Sequence, residues 1–236
     1  MFDINKISEC EHKLICDAKD NYGIYLDTCL KAIELSWTIT EFFDHRALYF
    51  SSYLSQSNKA LYLALMSLLR NHSNQSYFNI RLSIESSIMA CYELHRNDLE
   101  LLKYCEPDDN YKKSVYKWLE NNYENHSKGL EKNKKMINQS FMHSNLSSAK
   151  AHFKMNIENG RFDSMLFDSV DIPENRRRLV VFIQIILIQL SMYREVIEKY
   201  PLVELRTDFQ SELEIILKSY YSLNEYVITK QDSKEK

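Results

Sequence analysis

The sequence predicts a mainly all-α fold: an up-and-down bundle of about six to eight helices with one small β-hairpin near 152–168. Three observations carry this. The chain of 236 residues holds only 3 Gly and 3 Pro, too few for the many tight turns of an all-β protein. Apolar side chains recur at helical spacing in nearly every stretch. The one departure lies between Ala151 and Ser169, where Phe153, Met155 and Ile157 alternate with polar residues ahead of Asn159-Gly160. Asn-Gly between such arms is a strong hairpin signal, because both residues accept positive φ. The length supports one sizeable core. With no internal repeat, residues 1–230 read as a single domain and 231–236 as a disordered tail.

In chain order, residues 2–19 place Ile4, Ile7, Leu14 and Ala18 at helical spacing, and Gly23 ends that stretch. From Ile24 the periodicity runs through Leu26, Cys29, Ile33, Trp37 and Thr40 to Phe43, with a break at either Asp44 or Ser55–Asn58. Asn58 is a plausible N-cap for a helix over 59–70, where Leu61, Leu65, Leu68 and Leu69 form the apolar face. A polar link, 71–75, leads into the stretch NIRLSIESSIMACYEL, Asn79 to Leu94. On a helix at about 100° per residue, Ile80, Leu82, Ile84, Ile88, Met89, Cys91 and Tyr92 fill a wide arc that also holds Arg81 and Glu85. Ser83, Ser86, Ser87 and Ala90 lie opposite, small enough to admit a neighbouring backbone. Glu106-Pro107-Asp108-Asp109 reads as a loop. One helix is expected from Tyr111, carrying Val115, Trp118 and Leu119, and another over 130–144 on a stripe of Leu130, Ile137 and Phe141. Asp171-Ile172-Pro173-Glu174 is a helix start with Asp171 as N-cap and Glu174 reaching back in a capping box. The helix it opens, to about Lys199, is apolar almost all round and is the expected core helix. After Pro201, Phe209, Leu213, Ile216, Tyr220, Leu223 and Val227 alternate steps of four and three, the seam of a helix packed lengthwise on a partner.

Several function classes lose their usual signatures. A net charge of −3 gives no global basic footprint for nonspecific nucleic-acid binding. The five cysteines, Cys10, Cys16, Cys29, Cys91 and Cys105, show no C-x-x-C and read as free thiols of a reducing cytoplasm. MFDINKISEC lacks a basic region followed by an apolar core, so no secretory signal is expected. The run Leu179–Leu190 is interrupted by Gln184 and Gln189 and is short for a bilayer span, which predicts no membrane contact. There is no P-loop, glycine-rich dinucleotide turn or Gly-x-Ser-x-Gly elbow. Glu9-x-x-His12 is the only Glu-x-x-His unit, where a di-iron bundle needs two, and Cys/His zinc spacing is absent. No metal and no cofactor are expected.

The candidate site residues are Arg81, Glu85, His143 and Ser144. Arg81 and Glu85 stand one turn apart on one helix face. Arg81 could present a guanidinium to a phosphate or carboxylate with Glu85 orienting it, or the two could form an ion pair tying their helix to its neighbours. His143, in Ser140-Phe141-Met142-His143-Ser144-Asn145, suits general acid–base work, and it equally suits capping the last carbonyls of its helix. Arg176-Arg177-Arg178, with Lys132, Lys134 and Lys135 as a second cluster, could meet phosphates or could form solvated helix surface.

A helix bearing Arg81-x-x-x-Glu85 after a leucine-rich helix, followed about sixty residues later by a Ser140-x-x-His143-Ser144 helix end, resembles uncharacterised bacterial all-helical proteins linked to the HEPN superfamily. The resemblance covers residues 58–200. It implies a helical bundle that often dimerises, in a family that includes ribonucleases of toxin–antitoxin and phage-defence systems. There His serves proton transfer during 2′-hydroxyl attack on the phosphodiester and Arg stabilises the developing charge. The family signature sets Arg a few positions before His. Here no Arg lies four to six residues before any of the 7 His, and Asn138 takes that place before His143. The expectation is therefore a cytoplasmic homodimer acting as a noncatalytic binding module for an RNA, nucleotide or protein partner. The alternatives are a divergent metal-independent ribonuclease built from Arg81 and His143, and an oligomerisation scaffold using the C-terminal seam.

Overall fold

A computed structural model of the protein describes residues 3–96, 109–139, 153–156, 161–164, 167–168 and 171–232. The Pro107 loop, Cys105, His143, Ser144, the Asn159-Gly160 turn and the end of the tail lie outside the described residues. Within them the chain is an α-helical bundle. Its elements are α1 (Ile4–Cys16), α2 (Ala18–Tyr22), α3 (Ile24–Trp37), β1 (Thr40–Phe43), α4 (Leu48–Leu69), α5 (Ser73–Arg96), α6 (Asp109–Asn122), α7 (Glu124–Ile137), β2 (Phe153–Asn156), β3 (Arg161–Ser164), α8 (Ile172–Lys199), β4 (Val203–Leu205) and α9 (Phe209–Asp232). The expected first helix divides at Asp17, which helps bring the helices among the described residues to nine.

α8 is the axis. Asp171 caps it as expected, accepting from the Glu174 amide at 2.7 Å. The Glu174 side chain turns the other way and pairs with Arg177 and Arg178, so only half of the capping box forms. Leu179, Ile183, Ile185, Ile186, Leu190 and Tyr193 are fully covered, by α3, α5, α7 and α9. α8 is long and apolar enough to cross a membrane by composition, and 67% of its most apolar window is buried within the chain. The seam of α9 is likewise spent inside: Phe209, Leu213 and Ile216 are buried where α9 packs on α3 and α8. Gln184 faces outward while Gln189 is buried.

The hairpin forms in the predicted place, antiparallel from Phe153 opposite Ser164 to Asn156 opposite Arg161. A second ribbon was not predicted. The expected helix through Phe43 stops at Trp37, and β1 pairs antiparallel with β4, Thr40 opposite Leu205 and Phe43 opposite Val203. Thr38, Ile39 and Thr40 are consecutive β-branched residues that favour extended backbone, and their partner strand is remote in sequence. Asp44 accepts from the Arg46 amide at 2.8 Å at the start of the next helical turn. α4 then continues unbroken through Ser55–Asn58. Asn58 is not an N-cap but a buried cross-link: Ser36 Oγ donates to Asn58 Oδ1 at 2.6 Å, and Asn58 Nδ2 donates to the Ser36 carbonyl at 3.0 Å. A polar residue at a helical core position satisfies its groups on a neighbouring helix as well as at a terminus.

α4 and α5 form a hairpin turned at Asn71, the one described non-glycine residue with positive φ (58°). α5 is capped from a distance, Asp168 Oδ2 accepting from the Ser73 amide at 2.7 Å while the Asp168 amide donates to the Asn71 carbonyl. The break between α6 and α7 falls at Tyr123, ahead of the expected start near Leu130.

Candidate functional site

The rotation of α5 is set by its serine face. Ser83, Ser86, Ser87 and Ala90 are buried, and the small side chains let α4 and α8 come close. Ser57 Oγ of α4 lies 2.9 Å from Ser83 Oγ and 3.1 Å from the Ser83 carbonyl, and Gln189 Nε2 of α8 donates to Ser83 Oγ at 2.9 Å and Ser87 Oγ at 3.2 Å. With that side committed, Arg81 and Glu85 turn toward α6 and α7.

α7 is held by its own contacts with α8. Leu130 and Ile137 are buried, His126 Nε2 meets Glu195 Oε1 at 2.9 Å, and Gly129 lies so close that an added methyl would come 3.2 Å from Ile188. Lys134 and Asn138, one turn apart beside that stripe, then face α5.

The result is a four-residue cluster. Arg81 Nε donates to Glu85 Oε1 at 3.1 Å, and Arg81 Nη1 donates to Asn138 Oδ1 at 2.9 Å. Lys134 Nζ reaches the same Glu85 oxygen at 3.1 Å, donates to the Tyr116 hydroxyl, and sits 4.5 Å from the centre of the Tyr116 ring. Arg81 Nη2 and Glu85 Oε2 have no partner among the described residues. The side chains of Arg81 and Glu85 are 35% and 37% exposed and that of Lys134 is 18% exposed, so the pair lines a surface depression instead of locking a dry core. Burial acts to raise the pKa of Glu85, but Lys134 and Arg81 together outweigh it and hold the carboxyl below its ordinary value.

Two adjoining hollows meet at this cluster, sharing Ile88, Tyr116 and Lys134. One, of about 500 Å³, holds Arg81, Glu85, Lys112, Gln56 and Ser86 over Val115 and Met89. The other, of about 680 Å³, has Ile88, Leu119 and Leu130 as its apolar part, with Glu120, Ser127, Glu131, Lys135 and Asn138 at its polar edge. The first sets three cationic side chains against one carboxylate. Such a site can hold an anion by charge-assisted hydrogen bonds, and Arg81, already fixed at two nitrogens, is preorganised to offer the third.

Of the sequence candidates, Arg81 and Glu85 stand together here, while His143 and Ser144 lie outside the described residues. In the sequence Lys134 stands out only within a basic cluster, and no local pattern marks Lys112 or Tyr116. The available signal was that Lys134 and Asn138 flank the Leu130, Ile137 stripe at one-turn spacing. The three arginines that open α8 are engaged within the chain. Arg176 binds the Asn21 carbonyl through Nε at 3.1 Å and Nη2 at 2.6 Å, Arg177 pairs with Glu174 at 2.7 Å, and Arg178 meets Glu174 and Ser73. His12 lies on α1, its Nε2 3.5 Å from Cys16 Sγ. Cys29 and Cys91 are buried free thiols, raised in pKa by burial and so poor nucleophiles. The chain matches no protein-family model, no curated protein and no solved structure.

Proposed function

We propose that the protein is a noncatalytic, HEPN-like binding module, working as a homodimer in a bacterial defence or toxin–antitoxin setting, whose groove between α5, α6 and α7 takes the terminal phosphate of an RNA or nucleotide partner. The carrying observation is the excess of cations over carboxylate in one hollow, with a guanidinium nitrogen left to donate. Arginine and lysine together suit phosphate, the first by directed hydrogen bonds and the second as a point charge. The adjoining apolar hollow offers Ile88, Leu119 and Leu130 to the neutral part of such a ligand.

The reading against catalysis rests on Arg81 being held by Glu85 and Asn138, with no arginine at the family's position before His143. A short RNA with a free 5′-phosphate and a 3′ label, followed by fluorescence anisotropy and then by gel, tests both halves. Saturable binding is expected, weakened about tenfold or more by Arg81→Ala, since a hydrogen bond to a charged group contributes roughly 1.5–3 kcal/mol. The RNA is expected to stay intact. Unchanged affinity in the variant overturns the site, and cleavage leaving a cyclic phosphate, lost in His143→Ala, replaces the reading with the ribonuclease.

A further inference from the structure

Glu85 is an odd residue to find in a site that takes anions. Its Oε1 is shared by two cations of the hollow, Arg81 at 3.1 Å from α5 and Lys134 at 3.1 Å from α7. A residue that only oriented Arg81 would have no need of the second cation on the same oxygen. Among the described residues nothing else bridges those two side chains: Arg81 otherwise holds Asn138, and Lys134 otherwise holds Tyr116. The position between the two cations, where a bound anion gains most, is therefore filled by the protein's own carboxylate.

We propose that Glu85 is an internal stand-in for the ligand's anionic group, a specificity element that admits a phosphate-type dianion and turns away single carboxylates. The proposal rests on the anion-binding reading of the groove. Glu85 is tethered, so it competes at a high effective concentration. A free carboxylate offers the same charge and the same two acceptors without that advantage, and cannot displace it. A phosphate monoester offers a second charge and a third oxygen. It can meet Arg81 Nη2, Lys134 and Lys112 together while Glu85 swings out toward solvent, where its Oε2 already lacks a partner among the described residues. Specificity of this kind comes from an element that disfavours the wrong ligand.

The test compares inorganic phosphate with acetate on the full chain at constant ionic strength, by calorimetry or by amide shifts, in wild type, Glu85→Gln and Glu85→Asp. In wild type phosphate binds and acetate does not saturate. In Glu85→Gln, which keeps the shape and removes the charge, phosphate is expected to bind about tenfold tighter, and acetate to gain saturable binding. Glu85→Asp, too short to bridge both cations, is expected to fall between. Equal or weaker phosphate binding in both variants, with Arg81→Ala still abolishing the wild-type signal, makes Glu85 an orienting residue and overturns this inference while the groove's assignment stands. No saturable phosphate binding in any of the three proteins overturns both.

Discussion

Glu85 is the residue through which the site's electrostatics can be read from outside. Its pKa in the folded protein lies below the ordinary 4.5, because Lys134 and Arg81 outweigh the effect of burial. A carboxyl whose folded pKa is depressed contributes stability that is present above the unfolded value and is lost as pH falls through the folded one. The thermal midpoint of the wild type is thus expected to decline from about pH 4.5 downward more steeply than that of Glu85→Gln, with the two curves converging in acid. Parallel curves would show that Glu85 gains nothing from its neighbours. The pair itself was legible: Arg81 and Glu85 stand one turn apart in a wide apolar arc. What the sequence concealed was that the arc is not all covered. Two of its apolar members, Leu82 and Met89, are themselves half-buried and line the same hollow.

At the scale of elements, the serine face of α5 was readable as a close-packing surface, and it proves to be the feature that aims the site. Ser83 has no exposed surface and is bonded to both Ser57 and Gln189. Ser83→Leu inserts three carbons where α4 and α8 pack on α5 and removes a hydroxyl shared by Ser57 and Gln189, leaving them the Ser83 carbonyl and Ser87, so a loss of about 1–3 kcal/mol is expected in urea unfolding. A loss below about 0.5 kcal/mol, the range of a surface substitution, would mean that the face is not the packing surface described. The helices that the sequence showed best were those with a cap and an uninterrupted stripe, α8 above all. Asn58 misled because a buried asparagine on a helix face looks like a cap until its partner, Ser36, is seen across the interface. The β1–β4 ribbon was invisible for a related reason. A strand of four residues carries too little pattern of its own, and its pairing is with residues far along the chain.

For the whole molecule, one buried apolar cluster runs from α2 to α9 and leaves the α5–α6–α7 groove at its edge. The α9 seam belongs to that cluster, with Leu213 at 3% and Ile216 at 1% exposure. Leu213→Asp is therefore expected to lower the melting temperature or prevent folding, as burial of an unpaired charge does. A well-folded variant that only lost its oligomeric state would instead favour the scaffold. The core could be read from the sequence because its pattern is local and periodic. The groove could not, because it is made where three helices fail to cover one another, and the charges that line it come from all three. The central claim is that this groove holds phosphate through Arg81 and Lys134. It is tested most directly by titrating inorganic phosphate into ¹⁵N-labelled protein and following the Arg81 Nε–H resonance with the backbone amides of Glu85, Tyr116 and Lys134. These signals are expected to shift together along one saturable curve. The claim is contradicted if they stay still while other basic positions, such as Arg176 to Arg178, respond.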